Sequence, residues 1–141
     1  MKKDYLIIIV VVIVAFGALL FSFLKNANEK QLIASLEPQQ NNEGLVTIAV
    51  TPKLSSEISF QILVDTHSEE LNYDFTQIAF LVDENGKEYK PVSWDGDPPG
   101  GHHREGVLAF GIITPLPQTL QLVIKGMGGV PERKFVWITR P

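Results

Sequence analysis

Residues 57–66 read EISFQILVDT. Ile58, Phe60, Ile62 and Val64 alternate there with Ser59, Gln61, Leu63 and Asp65. A period of two puts the first set on one face of an extended chain, so the run predicts a strand with one side in a core. The same pattern extends outward in both directions. Leu45–Thr51 carries Val46, Ile48 and Val50 on one face; Thr119–Lys125 carries Leu120, Leu122 and Ile124; Arg133–Thr139 carries Phe135 and Trp137. Gln77–Asp83, Lys87–Trp94 and Glu105–Gly111 complete a set of seven predicted strands. Asn85-Gly86 tolerates positive φ and predicts a hairpin turn. Pro91 lacks an N–H and marks its strand as an edge. With no long helical period after residue 45, the expected fold class is all-β: an antiparallel β-sandwich of about seven strands, immunoglobulin-like or fibronectin-like, with an open barrel as the alternative.

Upstream the composition changes twice. Tyr5–Leu24 (YLIIIVVVIVAFGALLFSFL) runs twenty residues without a charge. As a helix it would measure roughly 30 Å, the thickness of a bilayer core. The expectation is one N-terminal transmembrane helix, an uncleaved single-pass signal anchor. Lys2 and Lys3 before it favour a cytoplasmic N-terminus and a domain outside the cytoplasm, at the cell membrane. A cleaved signal peptide is the rival, but its apolar run is normally shorter and ends in small residues. A pilin is disfavoured because an early Glu within the run is missing. Residues 25–44 turn polar and end in PQQNNEG, which predicts a tether. The expected division is therefore a stub at 1–4, an anchor at 5–24, a tether at 25–44 and a β-domain at 45–141.

Composition excludes several functions. The chain has 141 residues and no cysteine, which removes disulfide scaffolds, thiol catalysis and Cys-based metal centres. The formal charge is −4, and residues 45–141 carry all of it: 8 Lys and Arg against 12 Asp and Glu. An acidic domain is a poor match for nucleic acid, whose affinity depends on neutralising phosphates.

If successive strands run up and down, three connections share the upper end: 66–76 (THSEELNYDFT), 95–104 (DGDPPGGHHR) and 126–132 (GMGGVPE). All three histidines, His67, His102 and His103, fall there. Imidazole is a good ligand for zinc or copper, so these three form a candidate metal site, with Asp97 as an oxygen ligand and Met127 as a soft thioether. The competing reading is that the histidines and the Asp65-Thr66-His67-Ser68 run form turns through side-chain to backbone bonds. Asp65, Asp95 and Asp97 lack EF-hand spacing for calcium. No nucleophile elbow or phosphate loop is present, and no enzyme is expected. Glu132-Arg133-Lys134 reads as a solvated strand start, and Trp94 and Trp137 as packing residues.

The runs Asp65–Ser68, Trp94–Arg104 and Gly129–Arg133 (DTHS, WDGDPPGGHHR, GVPER) make the sequence resemble a group of small membrane-anchored microbial β-sandwich proteins without an assigned activity. The resemblance spans about Val46 to Ile138. It implies the anchor and the sandwich and carries over no catalytic residue. Periplasmic copper-binding proteins with His and Met loops on a sandwich are similar at the level of fold alone, since their ligand spacings differ. The expected function is thus an extracytoplasmic binding module, with copper or zinc held by loop histidines. The alternative is a metal-free structural or protein-interaction module of an envelope complex. The expected partners are the membrane, through the N-terminal helix, and an envelope protein. The oligomeric state is open.

Overall fold

A computed structural model describes residues 12–24 and 36–139. The chain divides into two units, one within 1–34 and one from Ser35 onward. In the first, residues 12–24 form helix α1 with Phe16, Leu19, Phe21 and Phe23 exposed. Among the described residues no helix is long and apolar enough to cross a membrane. The early part of the expected span, before residue 12, lies outside the described residues.

The second unit is all-β. Its strands are β1 (Gln39–Asn41), β2 (Val46–Leu54), β3 (Ile58–Thr66), β4 (Ala79–Val82), β5 (Glu88–Tyr89), β6 (Ser93–Gly96), β7 (His103–Gly111), β8 (Thr119–Met127) and β9 (Val130–Ile138). One turn of helix, α2 (Phe75–Ile78), precedes β4. Asp74 caps it, its carboxylate accepting from the Thr76 amide at 2.9 Å. The strands form two antiparallel sheets in the orders β1-β2-β3-β7-β6 and β5-β4-β8-β9.

The alternating residues meet between the sheets. Val46, Ile48 and Val50 from β2, Ile58, Phe60, Ile62 and Val64 from β3, Leu120, Leu122 and Ile124 from β8, and Phe135 and Trp137 from β9 are all buried in one cluster. Phe60 meets Phe110 edge-on at 5.7 Å and lies 5.3 Å from Trp137. Burial of this apolar area supplies most of the folding free energy in a chain without disulfides.

Two departures from the expected strands matter. The predicted strand Lys87–Trp94 is two strands in two sheets. β5 pairs with β4, and β6 pairs with β7. The crossover runs through Pro91, which cannot donate to either ladder. β5 and β6 keep one direction, so the connections still fall at the expected ends. The domain also begins before residue 45. β1, within the predicted tether, pairs with β2 from Gln39↔Val50 to Asn41↔Ile48. Glu37 accepts a hydrogen bond from the Trp137 indole at 2.8 Å. The Gln39 side-chain amide bonds both the N–H and the C=O of Val136 on β9, and Leu36 packs on the core. Residues 36–43 are a strap along the seam between the sheets. It enters at the lower end, where Leu54, Gly111 and Ile138 lie, and rises toward Val46.

Candidate functional site

The upper end is formed by residues 42–45, 67–74, 97–102 and 128–129; buried Arg104 ties 67–74 to 97–102, and buried Arg133 ties residues 41–43 to the end of β8. Arg104 is the second residue of β7 and sits on its inward face with Leu108 and Phe110. It is 1% exposed. Its guanidinium donates to the carbonyls of Leu71 (3.1 Å), Tyr73 (2.6 Å) and Asp97 (2.9 Å). The guanidinium carbon lies 4.9 Å from the Phe75 ring and 5.5 Å from the Trp94 ring, and those two rings stack at 4.5 Å. A planar, five-donor cation suits this position because it collects carbonyls from separate loops while lying against aromatic faces.

Arg133 does the same on β9. It is 1% exposed and donates to the Asn41 side chain, the Glu43 carbonyl (2.6 Å) and the Met127 carbonyl (3.3 Å). Burial pushes the pKa of each arginine down from its ordinary value, with Asp97 and Asp74 opposing this at Arg104, and Glu43 and Glu69 at Arg133. The expected solvated start of β9 is thus half right. Glu132 and Lys134 are surface residues paired at 2.7 Å, while Arg133 between them points inward.

Direct bonds complete the platform. Leu71 and the Gly100-Gly101 segment exchange backbone bonds of 2.9 and 3.0 Å, and Glu70 accepts from the Gly101 amide at 2.8 Å. The Tyr73 hydroxyl donates to Glu69 at 2.8 Å and accepts from Gly128 at 3.2 Å. Desolvation holds the Tyr73 pKa above its ordinary value. Gly128 adopts φ +63°, and a Cβ there would lie 2.8 Å from Val46 Cβ, so the β8–β9 turn closes against β2 only with glycine. Gly106 is constrained similarly, because a Cβ would meet the Trp94 ring at 2.5 Å. Trp94 in turn donates to the Asp97 carbonyl at 2.9 Å.

The candidate ligands are spread over this platform. His67 is exposed beyond Thr66. The Thr66 hydroxyl donates to the Leu45 carbonyl (2.8 Å) and accepts from the Ser68 amide (3.3 Å), a local side-chain turn. His102 points its Nε2 at Glu70, 3.7 Å away. His103 opens β7 opposite Asp65, and its Nδ1 lies 2.5 Å from the Asp65 carboxylate. Asp97 closes the β6–β7 hairpin by accepting from the Glu105 amide at 2.8 Å. Met127 differs from the expectation. It is fully buried in the core cluster, so its thioether is a packing group away from the surface that carries the histidines. Among the described residues no three His, Asp or Glu side chains gather as a metal-holding group.

The His103–Asp65 pair makes stability depend on pH. The hydrogen bond to Asp65, and the negative charge behind it, hold the His103 pKa above its ordinary 6.5. A raised folded pKa contributes stability that is fully present below the unfolded value and is lost as pH rises through the folded one. The melting temperature of the native chain should therefore exceed that of Asp65→Asn by more at about pH 6 than at about pH 8.5. An equal difference at both pH values would show that the pair carries no such linkage.

Compared with protein-family models, with curated proteins and with solved structures, the chain has no match.

Proposed function

We propose that the chain is a membrane-anchored, extracytoplasmic recognition module that binds a protein partner of the envelope through its upper loops. The observation that carries this reading is the pair of buried arginines, each of which ties two separate segments of the upper end, with the Tyr73–Gly128 bond joining the two pairs. A preorganised loop surface on a rigid sandwich lowers the ordering cost of binding. The strand orders support an immunoglobulin-like arrangement: β2-β3-β7-β6 corresponds to one standard sheet, and β4-β8-β9, with β5 beside it, to the other. The uncharged run Tyr5–Leu24 and the exposed apolar face of α1 support the anchor. Because the strap enters at the lower end, the loops lie at the end of the domain remote from that entry.

Photo-crosslinking in native membranes tests the reading. A photoreactive residue at Asn72, exposed in the upper loops, should give a discrete protein adduct. The same probe at Gln121, on the outer face of β8, should give none. Equal labelling from both positions would remove the recognition surface.

Copper or zinc binding through His67, His102 and His103 is the second reading. It is favoured by the backbone bond from Thr66 to His102 (2.9 Å), which places the ends of the two histidine segments side by side. Under the first reading, added Zn²⁺ or Cu²⁺ leaves the melting temperature unchanged. A rise that disappears in His102→Ala/His103→Ala would favour the metal instead.

A further inference from the structure

The two sheets turn different faces to solvent. On β2 and β3 the outward positions are mostly polar: Thr47, Thr51, Ser59 and Gln61 lie there, with Lys53 and Asp65 toward opposite ends. On the other sheet they are mostly apolar. Phe80 and Val82 on β4, Val123 on β8, and Val136 and Ile138 on β9 all take the outward parity. Val136 and Ile138 are 45% and 58% exposed. An antiparallel sheet with one solvated face normally alternates apolar inside with polar outside, and β9 departs from that at two successive outward positions.

Two lysines cover the upper half of this face. Lys125 lies over the Phe80 ring at 4.3 Å, and Lys134, opposite Val123, pairs with Glu132 at 2.7 Å. Val123, between Phe80 and Lys134, is 1% exposed, since long side-chain stems shield apolar surface. The lower half has no such cover. Val82, Gln121 and Val136 form one row across it, which ends at the rim in Glu88 on β5. Glu88 is exposed and belongs to no ion pair among the described residues.

This face is complementary to itself. A two-fold axis parallel to the strands lays β5 of one copy over β9 of the other, and β4 over β8. Glu88 then stands over Val136 of the second copy, two residues or about 7 Å along β9 from Lys134, a gap that the two long side chains span. Phe80, Val82 and Val123 fill the centre between the two charge pairs. A two-fold axis across the strands would set β9 on β9, put Lys134 over Val136 of the second copy and leave Glu88 without a cation.

We infer that the outer face of the β5-β4-β8-β9 sheet is a self-association surface. A second copy of this chain packs on it with strands running in the same direction, and Glu88 of each copy pairs with Lys134 of the other. This is independent of the reading of the upper loops. Four strands about 4.8 Å apart make a face less than about 20 Å wide. That is small for a permanent dimer, so the association is weak, with a Kd of about 10–100 μM.

Sedimentation equilibrium of the full-length chain in density-matched detergent tests this. The protein mass per particle should rise from one chain to two as concentration passes through that range. Val136→Arg should weaken association at least about tenfold. Glu88→Lys and Lys134→Glu should each weaken it several-fold. Glu88→Lys/Lys134→Glu should restore it, because the charges are exchanged and still opposed. All three positions are exposed, so the fold is kept, and unchanged near-ultraviolet circular dichroism checks that. A wild-type chain that stays single up to about 0.5 mM would overturn the inference. So would association equally strong in Val136→Arg, or loss in both charge variants without recovery in the double. The absence of cysteine gives a second measurement. Mixed Glu88→Cys and Lys134→Cys chains should be joined by a bismaleimide spanning about 10 Å, the separation of packed sheets. Glu88→Cys chains alone should not be joined, and equal yields from the two samples would count against the arrangement.

Discussion

Arg104→Ala is expected to lower the stability of the domain by about 4 kcal/mol. The guanidinium satisfies three buried or half-buried carbonyls, at Leu71, Tyr73 and Asp97, and lies over the stacked rings of Phe75 and Trp94. Hydrogen bonds from a charged donor contribute about 1.5–3 kcal/mol each, and a buried acceptor left without a donor costs a similar amount. Water reaching the loop end recovers part of that sum. For a domain whose whole stability is about 5–15 kcal/mol this is a large share. It corresponds to a fall of roughly 15–30 °C in melting temperature. Arg104→Lys should recover little, because an ammonium on a flexible stem cannot reach three carbonyls in a fork. Thermal unfolding followed by near-ultraviolet circular dichroism, which reports on Trp94, is the measurement. A loss below about 1 kcal/mol would mean that the loops hold together without this residue.

A fragment beginning at Leu45 should melt far below one beginning at Leu36, by about 3–5 kcal/mol in stability. Removing residues 36–44 takes away the β1 ladder, the Trp137–Glu37 bond and both Gln39 bonds to Val136. The heavier loss falls on Arg133. Two of its three acceptors, the Asn41 side chain and the Glu43 carbonyl, belong to the strap, and the buried cation keeps only the distant Met127 carbonyl. A buried charge stripped of its partners is among the most destabilising single losses known in proteins. Asn41→Ala in the longer fragment should reproduce part of the effect. Fragments that melt together would show that the strap is dispensable.

The strap is not legible in the residues that form it. PQQNNEG has the composition of a spacer, and nothing in Gln39-Gln40-Asn41 alternates between apolar and polar. β1 exists because β2 offers an open edge and because Gln39, Asn41 and the Glu43 carbonyl find partners about 90 residues later. No local pattern encodes contacts of that range. Period-two runs behave oppositely. Ile58 to Val64 and Leu120 to Ile124 state their inward face residue by residue, and the core follows them. Lys87–Trp94 fails at Pro91 for a local reason, since an extended run broken by a residue without an N–H can change sheets. The candidate site was only partly visible. The clustering of the three loops follows from strand direction, but His102 and His103 are surface groups facing Glu70 and Asp65, and His67 is exposed beside a side-chain turn. The two arginines that tie the loops carry no motif of their own. A signal for them was present: Arg133 shares the parity of Phe135 and Trp137, and Arg104 that of Leu108 and Phe110. A charged residue at an inward parity on a predicted strand, as Arg133 is, or just ahead of one, as Arg104 is, asks for buried acceptors, and here the loops supply them.

The Gln39 amide, bonded to both main-chain groups of Val136, has a consequence for crowding. β9 is the outer strand of its sheet, and an outer strand with free N–H and C=O groups invites a neighbouring chain to pair with it. Chains held in one plane at one height would meet with those edges already aligned, which favours side-by-side polymerisation. A side chain that imitates the missing strand near the lower end of β9 breaks that register. That stretch of the β9 edge is thereby closed to strand pairing by another chain.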